Sequence, residues 1–116
     1  MAANELILTY LAFGAIEAHR IVAADDETGL VKQATTATDP ILGVSDLGAD
    51  NKDDVLDVIQ GGSADIEYGE PIKFGDKLSS DAEGRAVVAA DGERVIGVAL
   101  LKGIKGDIGE VLISLS

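Results

Sequence analysis

Turn residues interrupt this chain so often that helices have little room between them. In the last third, Gly75-Asp76, Asp81-Ala82-Glu83-Gly84, Asp91-Gly92 and Gly106-Asp107 bracket short runs rich in Val, Ile and Leu. An Asp closes its own turn through its side chain, and Gly takes positive φ without a Cβ clash. Short β-branched runs bounded by such turns predict strands. This stretch reads as a β-meander whose last strand covers Gly109 to Leu115.

The pattern recurs upstream. Asp26-Glu27-Thr28-Gly29-Leu30 matches Asp81-Ala82-Glu83-Gly84-Arg85, and Ile41-Leu42-Gly43-Val44 matches Val95-Ile96-Gly97-Val98. Gly29/Gly84, Gly43/Gly97 and Val58/Val111 lie 55, 54 and 53 residues apart, and Ile16/Ile72 lie 56 apart. A spacing that drifts by about one residue per element is what small loop insertions leave. The expectation is a duplicated four-strand unit, with pseudo-repeat halves over 15–60 and 71–115. Chance self-similarity of Gly-, Val-, Ile- and Asp-rich sequence is the competing explanation. Two units do not make a solenoid. The expected fold class is all-β: one domain over residues 1–116, a small β-barrel or β-sandwich in which each half covers the other's apolar face. Gly43 and Gly97, inside strands, predict a bulge or a close backbone approach. The predicted core is Ile21, Val31, Leu42, Val44, Val58, Ile66, Leu78, Val95, Val98, Val111 and Ile113. Ser63 to Tyr68 alternates, with Ala64, Ile66 and Tyr68 on the apolar face.

A chain of 116 residues suits one core, and with 3% aromatics and no Trp that core must be built from Val, Ile, Leu and Ala. The formal net charge of −12 opposes binding to a phosphate backbone or an anionic membrane, so neither nucleic acid nor membrane is an expected partner. There is no Cys, hence no disulfide or thiol chemistry. No run approaches a transmembrane length, and the N-terminus lacks the basic-then-apolar pattern of a secretory signal.

No catalytic constellation is visible. His19 is the only histidine, and a lone His assembles neither a metal site nor a nucleophile triad; it reads as a surface or interface residue. The acidic stretches Asp25-Asp26-Glu27-Thr28-Gly29 and Asp50-Asn51-Lys52-Asp53-Asp54 lack calcium-loop spacing and read as solvated turns. Phosphate-loop, dinucleotide, nucleophile-elbow and zinc-protease motifs are missing. The expectation is a protein that is not an enzyme, with no catalytic, cofactor or metal residues. A glycosidase or carbohydrate-binding module is disfavoured because two Tyr, two Phe and no Trp make a poor sugar platform.

Met1 to Asn4 form a short tail without anchoring residues, expected to be mobile. Glu5 to Phe13 is the most ambiguous segment. Leu6, Leu8 and Tyr10 alternate as in a strand, while Leu6, Ile7, Tyr10 and Leu11 fit one helical face with Asn4 as N-cap. Extended structure is the expectation, as an N-terminal arm or edge strand over 1–13. The candidate contact residues are Leu6, Ile7, Leu8, Tyr10, Leu11 and Phe13. They could add to a partner's sheet, or Leu6, Leu8 and Tyr10 could close the protein's own barrel.

The run from Ala64 to Leu100 has a further reading. Ala64, Ile66, Gly69, Ile72, Gly75-Asp76, Leu78, Ser80-Asp81-Ala82 and Gly84-Arg85-Ala86, followed by Ile96-Gly97-Val98-Ala99-Leu100 and then Gly106-Asp107 and Val111, resemble the capsid cement, or head decoration, proteins of tailed bacteriophages. The first half is similar to the same family in residues 21–35 and 41–46. The resemblance spans nearly the whole chain and is carried by turn-and-strand motifs. It implies a small β protein made in the host cytoplasm and placed on the outer surface of the capsid. There it would bind the major capsid protein, as a homo-oligomer, most often a trimer, and stabilise contacts between capsomers. Such proteins commonly carry an extended N-terminal arm, for which this chain has few residues before its first apolar run. Another virion β-domain, such as a tail or fibre head-binding module, is the alternative.

Overall fold

The structure, a computed structural model, describes residues 6–115. The tail Met1–Asn4, with the Asn4 cap, lies outside the described residues, as do Glu5 and Ser116. The described residues form ten strands: β1 (Leu6–Leu11), β2 (Ile21–Ala24), β3 (Val31–Gln33), β4 (Ile41–Ser45), β5 (Val55–Gly61), β6 (Ser63–Glu67), β7 (Lys77–Ser80), β8 (Ala86–Val88), β9 (Gly97–Ala99) and β10 (Ile108–Ile113). No helix occurs among the described residues. The final strand stops at Ile113, short of the Leu115 expected from its apolar run.

The strands form two antiparallel sheets, ordered β1-β5-β4-β2-β3 and β6-β10-β9-β7-β8. Adding five to each strand number turns the first order into the second. The registers repeat too: Leu8 faces Val58 as Ala64 faces Val111, and Ile21 faces Val44 as Lys77 faces Val98. The repeating unit therefore has five strands, not four, and each copy begins upstream of residues 15 and 71. β1, expected outside the repeat, occupies the place that β6 takes in the second copy.

Each sheet curls back on itself. Beyond β1, Ala12 forms a parallel bridge to Val31, and the Phe13 N–H donates to the Val31 carbonyl at 2.7 Å. Tyr68 and Ala86 form the matching bridge, and the Gly69 N–H donates to the Ala86 carbonyl at 2.8 Å. Each half is thus a small roll with an interior of its own, beyond the expected covering of one half by the other. Gly61-Gly62 carries the chain from the first roll to the second, with Gly62 at φ 77°.

The strand glycines make the predicted close approach. A Cβ on Gly43 would strike the Ile59 carbonyl oxygen, and one on Gly97 would strike the Leu112 carbonyl oxygen. Two turns show the same equivalence with different residues. His19 (φ 62°) stands where the second roll has Gly75, and Asp53 (φ 68°) stands where it has Gly106.

The interiors are unequal. Ala12, Ile16, Val22, Val31, Leu56 and Val58 fill the first roll. The second roll's interior, including Ile66, Tyr68, Leu78, Ile96 and Val111, is continuous with the outer face of the first, including Ile21, Ala23, Ile41, Val44 and Ile59. Ile21, Val31, Val44, Val58, Ile66, Leu78 and Val111 are buried as predicted. Leu42 and Ile113 are partly buried against the core. Val95 and Val98 are corrections: both are partly exposed, and Ile96 is the fully buried residue of that run. Val98 is the counterpart of Val44, but it lies on an outer face that has no second roll to cover it.

Candidate interaction surfaces

The contact between the rolls is built by one short segment. Residues 19–21 insert between the end of β6 and the turn at 81–84. The Glu67 N–H donates to the His19 carbonyl at 3.0 Å, and the Ile21 N–H donates to the Gly84 carbonyl at 2.7 Å. Between them Arg20 is buried, its guanidinium donating to the Glu83 carbonyl at 2.8 Å and pairing with Glu67 and Glu17, each at 3.2 Å. Arg20 Nε has no hydrogen-bond partner among the described residues. Gln33 Nε2 also donates to the Glu83 carbonyl at 2.8 Å. Gly84 is required here, because its φ is +75° and a Cβ would press on the Gln33 side chain. His19 therefore serves the contact through its backbone.

Loop 35–39 adds a second strap. The Ala37 carbonyl accepts from the Arg94 N–H at 2.8 Å and the Ser79 hydroxyl at 3.3 Å. Asp39 holds the loop by accepting from the Thr35 and Thr36 N–H groups at 2.9 and 3.2 Å. Burial pushes its pKa up, but those N–H donors, the Thr36 hydroxyl and the Lys32 charge prevail and hold it below the ordinary value.

The candidate contact residues of the N-terminal segment fall on both faces of one strand and on the turn that follows it. β1 is a strand of the protein's own sheet, paired with β5 from Leu6 to Leu11. Of the two readings of this segment, the structure takes the one in which it closes the domain's own roll. Leu8 and Tyr10 lie on the inner face with Val58 and Leu56, and the Tyr10 hydroxyl donates to Gln60 Oε1 at 3.1 Å. Ile7 and Leu11 lie on the outer face, Leu11 opposite Val55. Leu6 sits at a bulge against Gly61, and Phe13 lies under the Lys52 ammonium, 5.9 Å from the ring centre. Leu6 (52%), Ile7 (43%), Leu8 (45%), Leu11 (44%) and Phe13 (45%) all remain exposed, as does Val55 (64%), and only Tyr10 is partly buried against the first roll's interior. Val55 also borders a recess of about 220 Å³ shared with Leu47, itself 86% exposed.

The acidic turns close on themselves. Asp25 accepts from the Thr28 hydroxyl, and Asp54 accepts from the Asn51 N–H at 2.9 Å. Among the described residues no group of three or more His, Cys, Asp or Glu is placed to hold a metal ion. Tyr68 is fully buried and donates to the Leu101 carbonyl at 2.6 Å. Its ring occupies the space that side chains at Gly109 and Gly103 would need. Burial pushes its pKa above the ordinary 10.0.

Sequence reasoning missed Arg20 and a second recess, of about 240 Å³, that opens into the first roll between Tyr10, Leu30, Leu42 and the turn at 25–29. The local pairing with exposed Glu17 does not mark Arg20 as buried; the groups that bury it, Glu67 and the Glu83 carbonyl, lie far along the chain. The recess was legible only by equivalence, since the same opening in the second roll is filled by residues 19–21.

No protein-family model matches the chain, and no curated protein sequence matches it. The solved structure of the head fiber gp8.5 N base of bacteriophage phi29 is similar to it, with a TM-score of 0.75, 24% sequence identity, and coverage of 95% of this chain and 94% of that one. At that identity the likeness is one of fold: the two-roll architecture described above is shared with a phage head-fibre base over nearly the full length of both chains.

Proposed function

We propose that this protein is a structural component of a tailed-phage virion, a cement or decoration protein on the outer surface of the head. The observation that carries the reading is the full-length fold likeness to a phage head-fiber base. The turn-and-strand motifs over residues 64–111, which resemble cement proteins, point the same way from an independent direction. In this role the protein does no chemistry. It binds the major capsid protein, as a homo-oligomer and most simply a trimer, and holds neighbouring capsomers together.

The shell-facing surface in this reading is the outward part of the N-terminal segment: Leu11 and Phe13, with Val55 and Leu47 beside them. A contact that must persist under outward strain gains more from buried apolar area, which slows dissociation, than from rim charges. A net charge of −12 suits a protein that must stay soluble and off DNA until a shell presents its site. A second reading, a base domain that seats a fibre on the head, draws on the same fold likeness.

Cryo-EM of phage heads incubated with this protein tests the proposal. Density for the domain on the outer shell, bridging capsomers with Leu11 and Phe13 facing the shell, is the expected result. Density continuing outward into a fibre favours the second reading, and absence from the particle removes both. Leu11→Glu with Phe13→Glu should keep the unfolding free energy within about 1 kcal/mol of the parent, as surface changes do, while abolishing co-sedimentation with heads.

A further inference from the structure

The contact between the two rolls is head-to-tail, and it leaves one unused copy of each of its two surfaces. The first roll contributes its outer face, where Ile21, Ala23, Ile41, Val44 and Ile59 are buried. The second roll contributes its opening, bordered by Ile66, Ser80, Gly84 and Ile96, all buried. On the second roll the outer-face positions are Lys77, Ser79, Val95, Val98 and Leu112; Ser79 is buried under loop 35–39, while Lys77, Val95, Val98 and Leu112 (46%) are partly or fully exposed. On the first roll the opening positions are Tyr10, Ala24, Gly29 and Leu42, and there the 240 Å³ recess lies open. Gly29 and Gly75 each have nothing within 4 Å of a built Cβ, whereas Gly84 touches the other roll.

The geometry points to a second copy of this chain as the occupant of that recess. In the proposed contact, the Gly75-Asp76-Lys77 segment of one protomer enters the opening of the next, as His19-Arg20-Ile21 does within the chain. The backbone groups are ready for it. The Ala12 N–H donates to the carbonyl of Asp54, the residue just before β5, so the adjacent Leu11 N–H points away from β5, as N–H groups alternate along a strand. Leu11 is the counterpart of Glu67, whose N–H donates to the His19 carbonyl, so the Leu11 N–H would donate to the carbonyl of Gly75. The Lys77 N–H would donate to the Gly29 carbonyl, as the Ile21 N–H does to Gly84. Charge agrees at the centre, because Lys77 replaces Ile21 opposite the acidic turn Asp25-Asp26-Glu27. One element does not carry over: Asp76 stands where Arg20 does, so no buried cation locks the joint. The contact between chains is therefore weaker than the one within the chain and rests on apolar area. Repulsion between chains of charge −12 opposes it at low salt.

Such an interface is heterologous and closes into a ring or continues as a filament. It deepens the homo-oligomer of the proposed function but does not depend on the capsid, so failure to bind heads leaves it intact.

Two blocked variants test it: Leu112→Glu on the outer face of the second roll and Leu30→Glu at the opening of the first. Sedimentation velocity at moderate and high salt is the measurement. Wild type should assemble, more strongly as salt rises. Each variant alone should be monomeric, and an equimolar mixture should give a one-to-one dimer and nothing larger, because it has one intact contact. Circular dichroism establishes that both variants are folded. Should either not fold, Val88→Cys and Thr28→Cys, the counterparts of Gln33 and Glu83, replace them in this cysteine-free chain. Selective oxidation to the mixed disulfide dimer is then expected. A wild type that is monomeric at every salt and concentration, variants that still assemble, or a mixture that stays monomeric or yields no preferred mixed dimer would each overturn the inference.

Discussion

The two rolls have the same strand order and register, yet the second is buried at its opening where the first is open, and the first is buried on its outer face where the second is open. Ile96 is fully buried and its counterpart Leu42 is not; Val44 is fully buried and its counterpart Val98 is not. The side chains follow that difference. The buried outer face carries Ile21 where the open one carries Lys77, and the filled interior has Tyr68 where the other has Ala12. Local chain geometry is therefore set by the repeat, while residue size and polarity are set by what each copy packs against.

The sharpest way to break the comparison is to place a charge at equivalent positions. Ile96→Asp should unfold the protein, because an unpaired buried charge costs several kcal/mol against a total stability of about 5–15 kcal/mol. Leu42→Asp should cost less and Val98→Asp least, in thermal melts followed by circular dichroism. Equal losses at all three would mean that the rolls are not packed asymmetrically.

Tyr68→Ala comes next, at about 3–5 kcal/mol, since it empties the middle of the second roll. Tyr68→Phe should cost about 1 kcal/mol for the lost bond to Leu101. Denaturant titration of the two variants separates ring packing from the hydroxyl.

Arg20→Ala removes the lock between the rolls. It should cost about 1.5–3 kcal/mol, the range for hydrogen bonds to a charged group, because Glu67 keeps partial access to water. Hydrogen exchange should then rise at the Ile21 and Glu67 amides before it rises inside either roll. Unchanged protection at both would mean that Arg20 does not hold the joint.

The smallest effects are in pH. The folded pKa of Tyr68 is raised, so its neutral form is the one the fold favours. That contribution is complete below the unfolded value of 10.0 and is lost as pH rises through the folded value. The alkaline loss should be absent in Tyr68→Phe. The folded pKa of Asp39 is lowered, so its contribution is present above the unfolded value of 3.8 and fades as pH falls through the folded one. Asp39→Asn should flatten that acid limb slightly, read as stability against pH.

Much of this was legible in the sequence. The Gly/Asp turns marked the strand ends, the Gly43/Gly97 pair announced the backbone approach, and the alternation from Ala64 to Tyr68 gave the inner face of β6. β1 was harder, because Leu6 to Leu11 is apolar on both faces and alternation cannot choose a side. Pairing with β5 makes that choice. Its place in the repeat was hidden because Leu8 and Tyr10 match Ala64 and Ile66 in position but hardly in identity.

What the sequence determined by itself was the local conformation, repeated twice: turns, strands and the glycines that let strands meet. What only the tertiary structure decided was which of two equivalent faces is buried, and with it the error at Val95 and Val98, the burial of Arg20 and the open recess beside Tyr10. The physical reason is connectivity. A head-to-tail joint between two copies in one chain is made once, so one outer face and one opening are covered while their counterparts stay open, and no short stretch of sequence carries that information.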